Sequence, residues 1–187
     1  ATGKLKATHL LPGETKVAEH EWGYIAISGG RLFGTATRRK RLNAVRARRG
    51  QQTVDATDAV FAIDLATGKH IWSFQGKSID HRTIALGPEK VYFINSTITA
   101  EQRQALLQQD KTELKKLTGE DAKRAEDRLK RIDGRTAMAL DARTGKQLWA
   151  QAIDVTDTSD IGIGGGRLTM IFKDDVLLLG GANANGH

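Results

Sequence analysis

An eleven-residue pattern that occurs twice constrains the fold of this chain more than any other sequence feature. Residues 62–72 and 139–149 both match A-x-D-x-x-T-G-x-x-x-W, and their tryptophans lie 77 positions apart. Self-similarity at a fixed spacing is the signature of a repeat architecture, in which each copy is one supersecondary unit. The positions that define the motif are Ala62, Asp64, Thr67, Gly68, Trp72, Ala139, Asp141, Thr144, Gly145 and Trp149.

Each copy predicts a β-hairpin. Residues 60–63 are β-favouring and predict a strand. Asp64 and Thr67 can bond the nearby backbone, and Gly68 tolerates a positive φ, so the chain turns there. Residues 70–74 then return as a second strand that contains the tryptophan. A chance pair of T-G-K turns is the alternative, and the shared spacing of all the anchor positions argues against it.

Each of these hairpins follows another one. Residues 24–35 and residues 83–94 both have the order apolar run, turn residues, apolar run, which predicts a strand, a turn and a strand. Two hairpins in series make a four-stranded antiparallel sheet. Radial repetition of such sheets is the architecture of a β-propeller.

The repeated pattern resembles the tryptophan-docking motif of PQQ-like β-propeller repeats, the quinoprotein alcohol dehydrogenase-like superfamily. The resemblance implies an all-β fold in which about eight four-stranded antiparallel blades surround an axis. It also implies that Trp72 and Trp149 wedge against the neighbouring blade. We therefore expect residues 1–187 to be part of one propeller, with about two full and two partial blades and a helical hairpin insertion.

Both ends of the sequence predict incomplete units. The turn pattern recurs at residues 2–4, with Ala7 where the tryptophan would stand. Residues 167–172 and 176–179 predict the first hairpin of another unit, and pairing of 161–163 with 167–172 is an alternative register. Because a propeller needs about 4–8 blades to close its ring, we expect this chain to be part of a larger one.

Two insertions lengthen the units beyond the ~40–45 residues that are common in propeller repeats. One is a basic loop at residues 36–58, and the other is a helical hairpin at residues 99–133. Each separates the first hairpin of a unit from the second, so both are expected on one face. Long loops on a rigid scaffold often carry binding sites, and drift in loop length without function is the alternative.

The second insertion has helix signals. Thr99 and Gln102 have the spacing of a capping box. Four leucines then keep helical spacing, and a second helical segment begins at Glu120 and ends before Gly134. A docking arm with an apolar stripe and a pair of helices packed on itself are both consistent with this pattern. The leucines are Leu106, Leu107, Leu114 and Leu117.

Residues 38–49, within the first insertion, carry the charge excess of the whole chain. The formal net charge is +7, from 29 basic and 22 acidic residues, and seven of the basic residues lie in this one segment. An acidic protein or an anionic surface is the partner that such a cluster indicates. No nucleic acid is expected, because no aromatic side chain is interleaved for base stacking. A solvated, mobile loop is the alternative. The seven candidate partner-binding residues are Arg38, Arg39, Lys40, Arg41, Arg46, Arg48 and Arg49.

No catalytic or metal-binding constellation is evident in the sequence. The chain has no cysteine, which excludes disulfides, thiolate zinc sites and cysteine nucleophiles. The five histidines do not have metal-ligand spacing. Asp154, Asp157 and Asp160 form a short acidic run, but it lacks the spacing and the glycine of an EF-hand loop. We predict neither catalytic residues nor a resident metal or cofactor.

Two classes of function follow from the resemblance. The first is a non-catalytic scaffold or binding domain in the periplasm or at the cell surface, which contacts proteins or ligands through its loop insertions. The alternative is a fragment of a quinoprotein dehydrogenase for alcohols or sugars, in which PQQ and calcium would lie at the propeller axis. No apolar run approaches the ~20 residues of a transmembrane helix, so no transmembrane segment is expected.

Overall fold

The computed structural model is mostly β, with antiparallel sheets, and two α-helices have both ends within the residues that it describes. It describes residues 3–12, 20–37, 40–51, 56–95, 98–99, 101–102, 104–105, 116–130, 132–156 and 168–181.

Four strands form the first sheet, which we call sheet 1. They are β1 (Glu21–Ser28), β2 (Arg31–Thr37), β3 (Ala56–Asp64) and β4 (His70–Asp80). Each strand pairs antiparallel with the next one along the chain, so the sheet is a simple meander. Helix α1 (Lys40–Arg48) lies between β2 and β3.

The second sheet, sheet 2, repeats this order. A 3₁₀ turn at His81–Thr83 leads from β4 into β5, and α2 (Gly119–Lys130) lies between β6 and β7. One bridge, between Ile79 and Asn95, joins sheet 2 to sheet 1. The strands of sheet 2 are β5 (Ala85–Leu86), β6 (Lys90–Asn95), β7 (Gly134–Asp141) and β8 (Gln147–Asp154).

A separate hairpin follows sheet 2. It consists of β9 (Thr169–Lys173) and β10 (Val176–Gly180), which pair across Asp174 and Asp175. Both aspartates have positive φ, 49° and 61°, as a tight two-residue hairpin turn requires. This pairing is one of the two predicted registers. Residues 161–163, which the other register would use, lie outside the described part of the chain.

The strands bury side chains on both faces. Val60 and Ala62 of β3 belong to the core between the two sheets, whereas Phe61 and Ile63 belong to a core that includes Leu11 of the N-terminal segment. Successive side chains of a strand point to opposite faces of the sheet. The unbroken apolar run in β3 therefore fits a strand that is covered on both sides.

Sheet 2 follows the same rule. Val91 and Phe93 of β6 face sheet 1, whereas Tyr92 and Ile94 face the β9–β10 hairpin. Tyr92 stacks on Phe172 of β9, with ring centroids 5.2 Å apart. Sheet 1, sheet 2 and the hairpin thus form successive layers, each held to the next by apolar side chains.

The motif turns have the same geometry in both sheets. Asp64 Oδ1 accepts hydrogen bonds from the backbone N–H and the hydroxyl of Thr67, at 2.8 and 2.7 Å. Asp141 Oδ1 accepts the same pair of bonds from Thr144, at 2.7 and 2.8 Å. The glycine that follows each threonine has a φ near +70°, a conformation that favours glycine.

Trp72 joins the two sheets. Its Nε1 donates a buried hydrogen bond of 3.0 Å to the carbonyl of Ala142, in the motif turn of sheet 2. Its ring lies so close to Gly145 that a Cβ added there would be 2.6 Å from Trp72 Cδ2. Only 7% of Trp72 is exposed, whereas 38% of Trp149 is exposed. The same residue therefore has two environments in the two copies.

The structure corrects one prediction. The basic insertion is not a loop throughout, because residues 40–48 form helix α1. Arginine, lysine, alanine and leucine are good helix formers, and their propensity outweighs the weak apolar periodicity of this segment. At the N-terminus, Ala7 is exposed, and His9 lies over Gly68, with Nδ1 3.6 Å from an added Cβ.

Candidate interaction face

Both insertions lie at the same end of the strands. Ala56, the first residue of β3, pairs with Asp80, the last residue of β4. Asn95, the last residue of β6, pairs with Thr136 near the start of β7. Because Ile79 also pairs with Asn95, these strand ends share one edge. We call this edge, with α1, α2 and the turn between β4 and β5, the insertion face.

Side-chain hydrogen bonds close the base of the first insertion. The Thr37 hydroxyl donates to the carbonyl of Ala56 at 3.1 Å. The buried Thr57 hydroxyl donates to the carbonyl of Ala36 at 2.6 Å. These bonds tie the end of β2 to the start of β3, so the insertion leaves the sheet from a fixed base.

Helix α1 ends in a defined cap. Gly50 has a φ of +64°, and its N–H donates to the carbonyl of Ala47 at 3.1 Å. The N–H of Gln51 donates to the carbonyl of Arg46 at 2.9 Å. This pair of bonds is the Schellman motif, which satisfies carbonyls at a helix C-terminus. Arg46 and Arg48 in the last turn also complement the negative end of the helix dipole.

The basic residues of the first insertion differ in their surroundings. Arg48 and Arg49 are exposed, whereas Arg46 is half-buried and interacts within the protein. The backbones of Lys40 and Arg41 belong to α1. Arg38 and Arg39 lie outside the described residues. The structure therefore places at least two arginines of the predicted seven in contact with solvent at one helix end.

The second insertion begins with the predicted capping box. Thr99 N donates to Gln102 Oε1 at 2.8 Å, and Gln102 N donates to Thr99 Oγ1 at 3.1 Å. The pKa of Glu101 is lowered, first by a hydrogen bond from its own backbone N–H and then by one from the Thr99 side chain. Residues 101–102 and 104–105 are helical, and the leucines at 106, 107 and 114 lie outside the described residues.

The second helix of this insertion, α2, has balanced charge. Glu120 and Asp121 occupy its first turn, where they complement the positive end of the helix dipole. Further along, Glu126 and Asp127 alternate with basic residues. The helix α2 thus contrasts with α1, which contains no acidic residue.

A polar cluster anchors the end of the second insertion. Arg135 makes a two-pronged contact with Asp133, and its Nη2 lies 2.8 Å from Asp133 Oδ2. This hydrogen-bonded carboxylate raises the pKa of Arg135, and the charge of Asp80 adds to the effect. The Asp133 N–H donates to Thr156 Oγ1 at 2.9 Å, so the insertion is also tied to the end of β8.

A second polar cluster joins the turn after β4 to the first two strands. His81 Nε2 lies 3.1 Å from the hydroxyl of Thr35, which accepts the N–H of Tyr24 at 2.8 Å. A Cβ on Gly23 would lie 2.2 Å from His81 Cε1, so only glycine leaves room for the ring. Burial raises the pKa of Tyr24. Sequence reasoning missed this cluster, because its members are far apart in the chain and belong to no motif.

Within the described residues, no three His, Asp or Glu side chains come close enough together to hold a metal ion. Asp154 accepts a hydrogen bond from the N–H of Thr156 at 2.9 Å, which gives it a role in a turn. Asp157 and Asp160, the other members of the acidic run, lie outside the described residues. No helix in the described part of the chain has the length and apolar character that crossing a membrane would need.

Comparison with known proteins gives no assignment. No family model matches the chain, and no curated protein matches its sequence.

Proposed function

We propose that the chain forms part of a β-propeller that acts as a non-catalytic binding scaffold. One observation carries the proposal: Trp72 of one four-stranded meander docks on the motif turn of the next, at Gly145 and Ala142. A contact that links each unit to its successor by the same residues can be repeated indefinitely. A propeller consists of such units repeated around a central axis.

The apolar surface of the last hairpin supports the same proposal. Ile171, Val176 and Leu178 are exposed on the side of β9 and β10 that faces away from sheet 2. Phe33 of β2 and Tyr92 of β6, which correspond to Leu178 in the earlier hairpins, are buried. A further sheet of the same kind would cover these side chains and the exposed part of Trp149.

The binding role rests on the insertion face. Two insertions of different charge emerge from the same edge of successive sheets, and hydrogen bonds at Thr37 and Asp133 fix their bases. Variable segments on a rigid scaffold are a common way to build a binding surface. A position in the periplasm or at the cell surface is part of the proposal, and it rests on the family resemblance alone.

A cofactor titration tests this function against the dehydrogenase alternative. PQQ, with calcium present, is titrated into the longest natural chain that contains these residues, followed by visible absorbance and dye-linked oxidation of alcohols. The scaffold proposal predicts neither stoichiometric binding nor turnover. Tight stoichiometric binding with turnover would overturn it and establish a quinoprotein dehydrogenase.

A further inference from the structure

We propose that the C-terminal end of α1 binds a short acidic segment of a partner protein, with Arg48 and Arg49 as the contacting residues. This inference rests on the proposed scaffold function and names the chemistry of its partner. Both arginines are exposed, and they stand at the end of a helix that the Gly50 cap closes.

The stretch of sequence around these arginines carries only positive charge. No acidic residue occurs between Glu21 and Asp55 in the sequence. The guanidinium group presents a planar fork of donors that matches a carboxylate with two parallel hydrogen bonds. An anionic group is therefore the ligand that matches these two side chains.

Helix α2 favours a small anion over an extended one. It emerges from the same face, and its acidic residues are balanced by an equal number of basic residues. A nucleic acid or an anionic membrane would extend beyond α1 to α2, which offers no net attraction for phosphates. The nine residues of α1 span only about 14 Å, a length that about four extended residues cover. A short acidic segment can be held by α1 alone.

The side chains beside the arginines also favour a protein over a membrane. Ala44, Val45 and Ala47 are the other exposed residues in this part of α1, and Val45 is 43% exposed. Helices that lie in a membrane interface carry Trp, Phe or Leu along an apolar face, whereas Leu42 is the one leucine of α1 and the helix has no aromatic residue. The stretch from 37 to 55 contains no aromatic residue, which also removes the stacking platforms that single-stranded nucleic acids use.

Fluorescence anisotropy with a labelled peptide tests the proposal. The probe is a Glu-rich peptide of roughly eight residues, long enough to span α1. We expect saturable binding to the protein that weakens as salt is raised, because screening reduces exposed charge–charge attraction. The double variant Arg48→Glu/Arg49→Glu should bind at least about tenfold more weakly. Arg48→Gln/Arg49→Gln, which keeps good helix formers at both positions, should show a loss in the same direction.

The matched control is Lys123→Glu/Arg124→Glu. It makes the same change of charge at exposed positions of α2 on the same face, and peptide affinity should stay within about twofold. An equal loss in this control would overturn the proposal, because net charge would then explain binding. No binding of the peptide would also overturn it. Equal or tighter binding of a mixed-sequence single-stranded DNA, or of phosphatidylserine vesicles, would overturn the proposal and identify a polyanion as the ligand.

These outcomes are independent of the cofactor titration. Absence of peptide binding without PQQ turnover rejects the α1 site and leaves the scaffold proposal standing. PQQ turnover with arginine-dependent peptide binding rejects the non-catalytic scaffold and leaves the α1 site established.

Discussion

The two motif copies share a turn but not an environment. Asp64 and Asp141 make the same hydrogen bonds, and Trp72 and Trp149 occupy the same position after them. Trp72 is covered because the turn of sheet 2 packs on it, whereas no corresponding turn covers Trp149 in the described part of the chain. The turn is thus a local property of eleven residues, and the docking of the tryptophan depends on the next unit.

The first copy shows what happens when the preceding unit differs. His9 lies over Gly68, in the place that Trp72 takes over Gly145. Its Nδ1 is buried and has no hydrogen-bond partner among the described residues, whereas Trp72 Nε1 has the carbonyl of Ala142. The junction before sheet 1 therefore lacks the hydrogen bond that stabilises the junction between sheets 1 and 2.

Replacing each tryptophan by alanine should give the largest difference in stability between the two motif copies. Trp72→Ala should lower the free energy of unfolding by about 3–5 kcal/mol, as loss of a buried large aromatic does. Trp149→Ala should cost only about 1–2 kcal/mol, because 38% of this residue is already exposed to water. Denaturant melts of both variants measure the difference. Equal losses would mean that the two rings are equally buried.

Replacing the turn glycines by alanine should give a smaller difference in stability between the two copies. Gly68→Ala should cost about 1–2 kcal/mol, because it places a side chain in left-handed backbone. Gly145→Ala has the same backbone cost and adds about 1–3 kcal/mol, since the new methyl overlaps the Trp72 ring. Combining Gly145→Ala with Trp72→Ala should remove the additional cost. If Gly145→Ala destabilises the protein equally with and without Trp72, overlap with the Trp72 ring is not the cause of the additional loss.

The smallest expected effect concerns the pKa of the motif aspartates, and it should be the same in both copies. Hydrogen bonds from Thr67 and Thr144, first from the hydroxyl and then from the backbone N–H, lower the pKa of Asp64 and Asp141. Stability from a lowered pKa is present above the ordinary aspartate range and is lost as pH falls through the folded-state value, below about pH 4. Thr67→Val and Thr144→Val should each raise the pKa of the partner aspartate, measured by NMR titration of the carboxyl carbon. A shift in only one copy would contradict the shared geometry.

Much of this fold is encoded locally and is predictable from the sequence. The β-favouring runs and the D-x-x-T-G turns give the hairpins, and Thr99 and Gln102 give the start of a helix. The sequence predicts a loop where α1 forms, because only Leu42 and Val45 suggest the apolar periodicity of a helix. The moderate helix propensity of this segment is easily overlooked beside its high positive charge.

Contacts between distant segments were not predictable in the same way. His9 over Gly68, and His81 beside Gly23 and Thr35, depend on how the layers stack. A glycine that makes room for a ring has no sequence signal that distinguishes it from a glycine in a turn. The candidate interaction face was therefore predictable as two insertions on one edge, but its polar anchors were not.

The exchange rates of the tryptophan indole N–H groups report directly on whether Trp72 is docked on sheet 2. With indole-¹⁵N tryptophan in the unmodified chain, and with single Trp→Phe variants to assign the resonances, hydrogen–deuterium exchange is followed by NMR. We expect the Trp72 N–H to exchange much more slowly than the Trp149 N–H, because it donates to Ala142 in a buried junction. Equal exchange rates for the two N–H groups would contradict the docking of one sheet on the next through Trp72.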